Sequence, residues 1–221
     1  MFRTVTKTWT IFSGCRYQCV YCWSRALIEG RLKHLPKYKN GFEPTFHPEE
    51  LKKMFRPGDF VGVALMGDIS FADDKSRQAI IERIGEFPQT NFLIQSKDPR
   101  AFGLWPSWDN VYYGTTIETN RDYKVSKAPT SLVRYFAFSS LIKRPHKFIS
   151  IEPIQDFDME ILLRWLQDIK PEIVEIGGDN YRHNLAEPSP AKVKELLEAL
   201  RAFVPKVVEK EGLERLKKEG I

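Results

Sequence analysis

Seven consecutive uncharged residues, Phe60-Val61-Gly62-Val63-Ala64-Leu65-Met66, are closed off by Pro57-Gly58-Asp59 on one side and Gly67-Asp68 on the other. The run is too short to cross a bilayer, and a strand wetted on one face would alternate with polar residues. Its pattern is that of a strand buried on both faces, which is the situation in a parallel sheet covered by helices. Parallel neighbours need crossover connections, and the sequence supplies them in alternation. Strands are expected over 5–12, 60–66, 91–96, 111–117, 147–151 and 172–176, each rich in β-branched or aromatic residues and bounded by turn residues.

Between them lie segments of helical period. A helix over 24–29 follows the first strand, and another over 47–55 opens on Pro48 with Glu49 and Glu50 in its first turn. Asp73 or Asp74 caps a helix through Phe87, with Ile80, Ile81, Ile84 and Phe87 on one face. Asp98-Pro99 opens a short helix toward Trp105, and a helix is expected over 130–142. Asp158 caps a helix striped with Ile161, Leu162, Trp165, Leu166 and Ile169, and Ser189-Pro190 opens one carrying Val193, Leu196, Leu197 and Leu200. Mixed Lys and Glu over 206–220 read as a surface helix closing a core of about 5–205, so that the chain of 221 residues forms one domain. Six strand and helix units are too few for an eight-unit barrel, and fit either a partly open barrel or a doubly wound sheet. Both architectures put reactive groups at the C-terminal ends of strands. Reading past each strand gives the segment from Cys15 to Cys22, Gly67-Asp68, Ser96-Lys97-Asp98, Thr115 to Asn120, Glu152 and Gly177-Gly178-Asp179-Asn180.

All three cysteines, Cys15, Cys19 and Cys22, stand just past the first strand with three and then two residues between them. A short loop of this spacing can turn three thiolates toward one group, and with no fourth cysteine one coordination position is left to another ligand. The same spacing suits structural zinc with His34 or His47 as fourth ligand.

The Cx3Cx2C spacing at the end of the first strand, with aromatic Tyr21 before the third cysteine, resembles the radical S-adenosylmethionine (SAM) superfamily. That resemblance implies an α/β fold of the incomplete (β/α)6, TIM-like barrel type with parallel strands. It implies a [4Fe-4S] cluster on Cys15, Cys19 and Cys22, with SAM on the remaining iron, an external one-electron reductant, and reductive cleavage of SAM to a 5'-deoxyadenosyl radical. Met66-Gly67-Asp68 is similar to the family's Gly-Gly-Glu element, which holds the SAM amino group, with an acid one methylene shorter here. Thr115, Thr116 and Glu118 resemble positions that contact the SAM ribose, and Lys97 is placed to pair with the methionine carboxylate. The segments 114–120, 150–153 and 177–180 look like a phage-associated, radical-SAM-like family of unknown activity, from which Gly177 and Gly178 are expected to line the cofactor site and Glu152 and Asp179 to touch substrate.

The lack of further cysteines disfavours a second thiolate-held cluster and removes a cysteine as hydrogen-atom donor. The substrate is left open between nucleic acid and protein, and a net charge of +5 and the basic stretch from Arg31 to Lys39, with Tyr38 available for stacking, favour nucleic acid. The polar N-terminal residues and clustered cysteines carry the expectation of a cytoplasmic protein with no membrane partner. The rival from another class is a non-catalytic zinc- or cluster-containing nucleic-acid-binding protein.

Overall fold

The computed structural model describes residues 2–218. The chain runs through β1 (Lys7–Trp9), β2 (Phe12–Gly14), α1 (Trp23–Glu29), β3 (Thr45–Phe46), β4 (Phe60–Val63), β5 (Met66–Gly67) and α2 (Asp74–Gly85). It continues through β6 (Asn91–Gln95), β7 (Val111–Thr116), α3 (Ser131–Ser139), β8 (His146–Ile151) and α4 (Met159–Ile169). It ends with β9 (Ile173–Ile176), α5 (Pro190–Phe203), β10 (Lys206–Glu209) and α6 (Leu213–Leu216). Seven strands pair in parallel in the order β1-β4-β6-β7-β8-β9-β10 and curl into a half-barrel, so of the two expected architectures the partial barrel is the one that forms. No described helix is long and apolar enough to cross a membrane.

Two expected strands break in the middle, and the breaks build the site. After Trp9 the chain leaves the main sheet, the Ile11 carbonyl accepts the His47 N–H, and β2 pairs with β3 and β5 in a small second sheet. The run from Phe60 breaks at Ala64, which adopts a left-handed φ of 56°. Its carbonyl accepts the Gly67 N–H, and β5 then lies parallel to β2. Each apolar run thus serves two sheets in succession. Seen as composition alone, it reads as one strand.

The segment expected as a helix over 47–55 is a 3-10 turn, Pro48–Lys52. The Glu50 carbonyl that an α-helix would commit to residue 54 instead accepts the Lys53 N–H and the Trp9 indole N–H. The residues expected as a surface helix over 206–220 form β10, a seventh parallel strand beside β9, followed by the single helical turn of α6; positions 219 and 220 lie outside the described residues. Val207 and Val208 give this stretch its β character, and Glu209 at its end pairs with Arg201 of α5 and with Lys217. Asp158 precedes α4 as expected but makes no cap bond, because its carboxylate is taken by Arg121.

Strand alternation divides the interior into layers. Side chains on one face of the sheet join the helices in the main core, around Trp9, Phe92, Tyr113 and Ile149. Those on the inner face form first an apolar layer of Leu93, Phe148 and Ile173. Two residues further along the same strands come Gln95, Thr116, Ser150 and Glu175. Phe2 packs edge-on against Phe148 at 5.0 Å on the cleft side of this layer, with the Lys210 ammonium 4.6 Å from its ring centre. Glu175 is fully buried and accepts the N–H groups of Arg3 and Thr4 together with the Thr4 hydroxyl.

Candidate functional site

Above the apolar layer, at the C-terminal ends of the strands, lies a cleft of about 490 Å³, within the range of small-molecule sites. One wall is the cysteine loop. It begins at Gly14, whose φ of +85° and 2.2 Å separation between a hypothetical Cβ and the Glu43 carbonyl oxygen leave no room for a side chain. The Cys15 N–H is held by the Phe42 carbonyl, Gln18 takes a left-handed turn, and Cys22 caps α1. Cys15 Sγ accepts the Tyr17 N–H and Cys22 Sγ the Arg25 N–H, each at 3.4 Å. Cys19 Sγ shares a hydrogen bond of 3.0 Å with Ser126 Oγ, on the loop after β7. That loop also binds Val20 and Tyr17 through main-chain contacts from Val125 and Lys127. All three cysteines are free and face the cleft. Burial, with Asp68 nearby, pushes the Cys15 thiol up to about 12, and burial raises Cys22 as well. A metal or cluster bound here must therefore displace protons.

The floor is set by two buried carboxylates. Asp68 Oδ1 accepts the Ser70 N–H, the Ser70 hydroxyl and the Ser96 hydroxyl, while among the described residues Oδ2 takes only the Lys97 N–H at 2.8 Å. Glu118, 1% exposed, accepts the Tyr21 hydroxyl and the Lys97 ammonium on Oε1 and Arg134 on Oε2 at 2.8 Å. Burial alone would raise the Glu118 carboxyl, but Arg134 and Lys97 more than offset it and hold it at about 2. The same burial and the Glu118 charge push the Tyr21 phenol well above its ordinary value. Tyr21, Lys97 and Glu118 thus form one fixed unit, with the tyrosine and lysine on the cleft side.

On the far wall, Ser150, Glu152 and the turn after β9 face the cysteines. Glu152 Oε2 is paired with Lys210, which follows β10, and among the described residues Oε1 has no hydrogen-bond partner. A Cβ on Gly177 would stand 2.8 Å from that Oε1, so glycine keeps the carboxylate in place. Asp179 accepts the N–H groups of Tyr181 and His183 and contacts the His183 ring.

The structure brings most of the expected residues to one cleft: the three cysteines, Tyr21, Gly67, Asp68 and Lys97 on the near side and floor, and Thr116, Glu152, Gly178 and Asp179 beyond. Thr115 is fully buried behind it, donating to the Ser96 carbonyl, and Glu118 lies beneath Tyr21 and Lys97 with both oxygens engaged. Sequence reasoning missed Gln95, His183 and Lys210, and it gave Ser96 and Ser150 no role of their own. For His183 the signal was the four-residue spacing from Asp179; Lys210 went unseen because β10 was read as helix. Tyr38, expected to stack on a base, is instead buried against Ile28 and Phe42, and Lys37 beside it is paired with Glu50. Neither histidine expected as a zinc ligand faces the triad's open position freely. His34 is exposed on the basic loop, and buried His47 shares a 2.7 Å hydrogen bond with Ser13. Among the described residues, no three His, Cys, Asp or Glu side chains gather closely enough to hold a single metal ion.

The chain matches no model of a known protein family, and no curated protein matches it in sequence.

Proposed function

We propose that the protein is a radical SAM enzyme, with a [4Fe-4S] cluster on Cys15, Cys19 and Cys22 and SAM beside it in the cleft. The observation that carries this reading is the convergence of every thiol in the chain on one cleft at the C-terminal ends of a parallel half-barrel, opposite a second polar wall. The donor set fits a cluster better than a single ion. Each iron of a cluster takes its own thiolate, so three sulfurs spread around it, whereas a zinc site draws its ligands to one point. The main-chain N–H groups directed at Cys15 and Cys22 are of the kind that tune cluster sulfurs.

Bound there, the cluster and SAM supply reductive cleavage of SAM to a 5'-deoxyadenosyl radical, with the electron from an external one-electron reductant. The chain's own residues orient and enclose. Asp68 Oδ2, which carries only one donor, suits the SAM ammonium; the Ser70 and Ser96 bonds on Oδ1 fix its direction. Lys97 offers its remaining N–H groups to the methionine carboxylate while Glu118 holds it in place, a positioning role that replaces the direct ribose contact expected of Glu118. Thr116 is the ribose-side hydroxyl on the cleft floor, with Gln95 donating to it at 3.0 Å. Leu65, Phe2 and Phe42 exclude water around the reacting centre. The far wall, with Glu152 and its unpaired oxygen, is the substrate side. With Tyr38 buried and Lys37 paired with Glu50, a nucleic-acid substrate rests on the overall basic charge and the exposed Arg31, Lys33 and Lys39.

Anaerobic reconstitution with iron and sulfide, then SAM and a strong reductant, should yield a brown protein that releases 5'-deoxyadenosine. Cys19→Ala should lose both colour and product. An intact cluster without product sinks the enzymatic reading, and a colourless protein with stoichiometric zinc favours the non-catalytic one.

A further inference from the structure

The wall opposite the cysteines holds a pair of groups that the cofactor reading does not use. The turn after β9 brings Asp179, 6% exposed, against His183, which lines the cleft. Asp179 Oδ1 lies 2.6 Å from His183 Nδ1, and the N–H groups of Tyr181 and His183 anchor the same carboxylate from the main chain. Burial raises the Asp179 carboxyl, but the His183 ring and the two amides outweigh it and hold it below the usual carboxylate value. An ionised carboxylate has no proton to give, so the proton between the two groups belongs to Nδ1. In the neutral ring that tautomer leaves Nε2 bare, and among the described residues Nε2 has no hydrogen-bond partner.

The surrounding charges are already matched. Lys210 pairs with Glu152, and Arg215, which donates to the Asp179 carbonyl, pairs with Glu187. Tyr181, 70% exposed, stands edge-on to the imidazole at 6.0 Å and borders its approach from solvent. Among the described residues nothing competes for Nε2, which leaves it open to a molecule in the cleft that His183 lines.

We infer that Asp179 and His183 are a proton-transfer dyad acting on a hydroxyl or amino group of the substrate. The substrate O–H or N–H bond breaks with its electron pair left on oxygen or nitrogen, and the proton goes to His183 Nε2. The resulting imidazolium is stabilised by the Asp179 carboxylate, and no electron is transferred in this step. His183 is the catalytic residue and Asp179 the positioning residue, which revises the direct substrate contact expected of Asp179. The inference deepens the radical SAM reading and rests on it for the neighbouring chemistry: the substrate is a polar molecule whose hydroxyl or amine lies near the hydrogen that is abstracted.

Nitrogen-15 NMR of the full chain, histidine-labelled and free of metal and SAM, at a pH where the ring is neutral, reads the tautomer of His183 directly. The expected result is Nδ1–H with bare Nε2; an Nε2–H tautomer overturns the inference. Diethyl pyrocarbonate, which acylates unprotonated ring nitrogens, should modify His183, and Asp179→Asn should slow that reaction several-fold relative to exposed His34 in the same sample. An inert His183 in the wild type, or equal relative rates in a folded Asp179→Asn variant, overturns it. Should that variant fail to fold, the two wild-type measurements decide alone. None of these readouts needs cluster or SAM, so failure of the dyad leaves the 5'-deoxyadenosine test standing, and failure of that test leaves the dyad standing.

Discussion

Glu118 shows how a residue can matter to a site without touching its ligand. Its carboxylate is buried, and two cations and a phenol converge on it. Because its folded pKa of about 2 lies below the ordinary value of 4.5, the unfolded chain binds the proton more readily. The stabilisation is complete above pH 4.5 and is lost as the pH falls from there toward 2. Replacing Glu118 with Gln leaves Lys97 and Arg134 without their partner charge and should cost about 3–5 kcal/mol at neutral pH. Urea titrations of both proteins should show that gap narrowing between pH 4.5 and the lowest pH at which the wild type folds; a gap independent of pH would contradict the assignment. The sequence pointed to Glu118 by its place after a strand. It could not tell a ligand contact from a buried anchor, because that depends on Arg134, which arrives from a helix further along the chain.

At the scale of elements, the split of two apolar runs between sheets is what delivers the site. Runs apolar throughout, such as 60–66, announce burial but not the point where a strand leaves its neighbour, since a left-handed Ala64 has no compositional signature. The glycine that follows does carry a requirement. A Cβ on Gly67 would come within 2.6 Å of the Gly14 carbonyl oxygen, main chain against main chain. Gly67→Ala should therefore force β5 away from β2 at a cost of about 1–3 kcal/mol. On the radical SAM reading proposed above, the displaced Gly14 should also lower cluster content after reconstitution, measurable as iron per chain; a variant with wild-type stability and iron would rule out this close approach. β10 failed to register for a complementary reason. Four residues of mixed Lys, Val and Glu fit a helix face as well as an edge strand, and only pairing with β9 decides between them.

Across the whole molecule, the half-barrel is tied from beneath. Thr4 lies just ahead of the first strand, yet its hydroxyl reaches Glu175 on β9 at 2.6 Å, 171 positions away in sequence. The open sheet is thereby braced from one side to the other by a buried charged hydrogen bond. Thr4→Val keeps the shape and removes that bond, and should lower stability by about 1.5–3 kcal/mol in urea unfolding; an unchanged midpoint would mean that the brace contributes nothing. The alternation of strands and helices, the parallel order and the clustering of polar residues past strand ends were all legible, because they repeat within short windows. The brace, the Lys210 partner of Glu152 and the seventh strand depend on contacts between distant segments, which no window contains.

The bond between Cys19 and Ser126 spans 107 positions, and the neighbouring contact from Ser126 to the Tyr17 carbonyl spans 109. A chain emerging from the ribosome presents its cysteines long before the loop that fastens them has been made. Contacts of such separation form late, since a long loop must close first. The thiols therefore pass through an interval in which they are mobile and solvent-exposed, open to oxidation or to any available ion. On the radical SAM reading proposed above, correct loading becomes a question of timing: the proposed cluster has to arrive after the loop that follows β7 has docked.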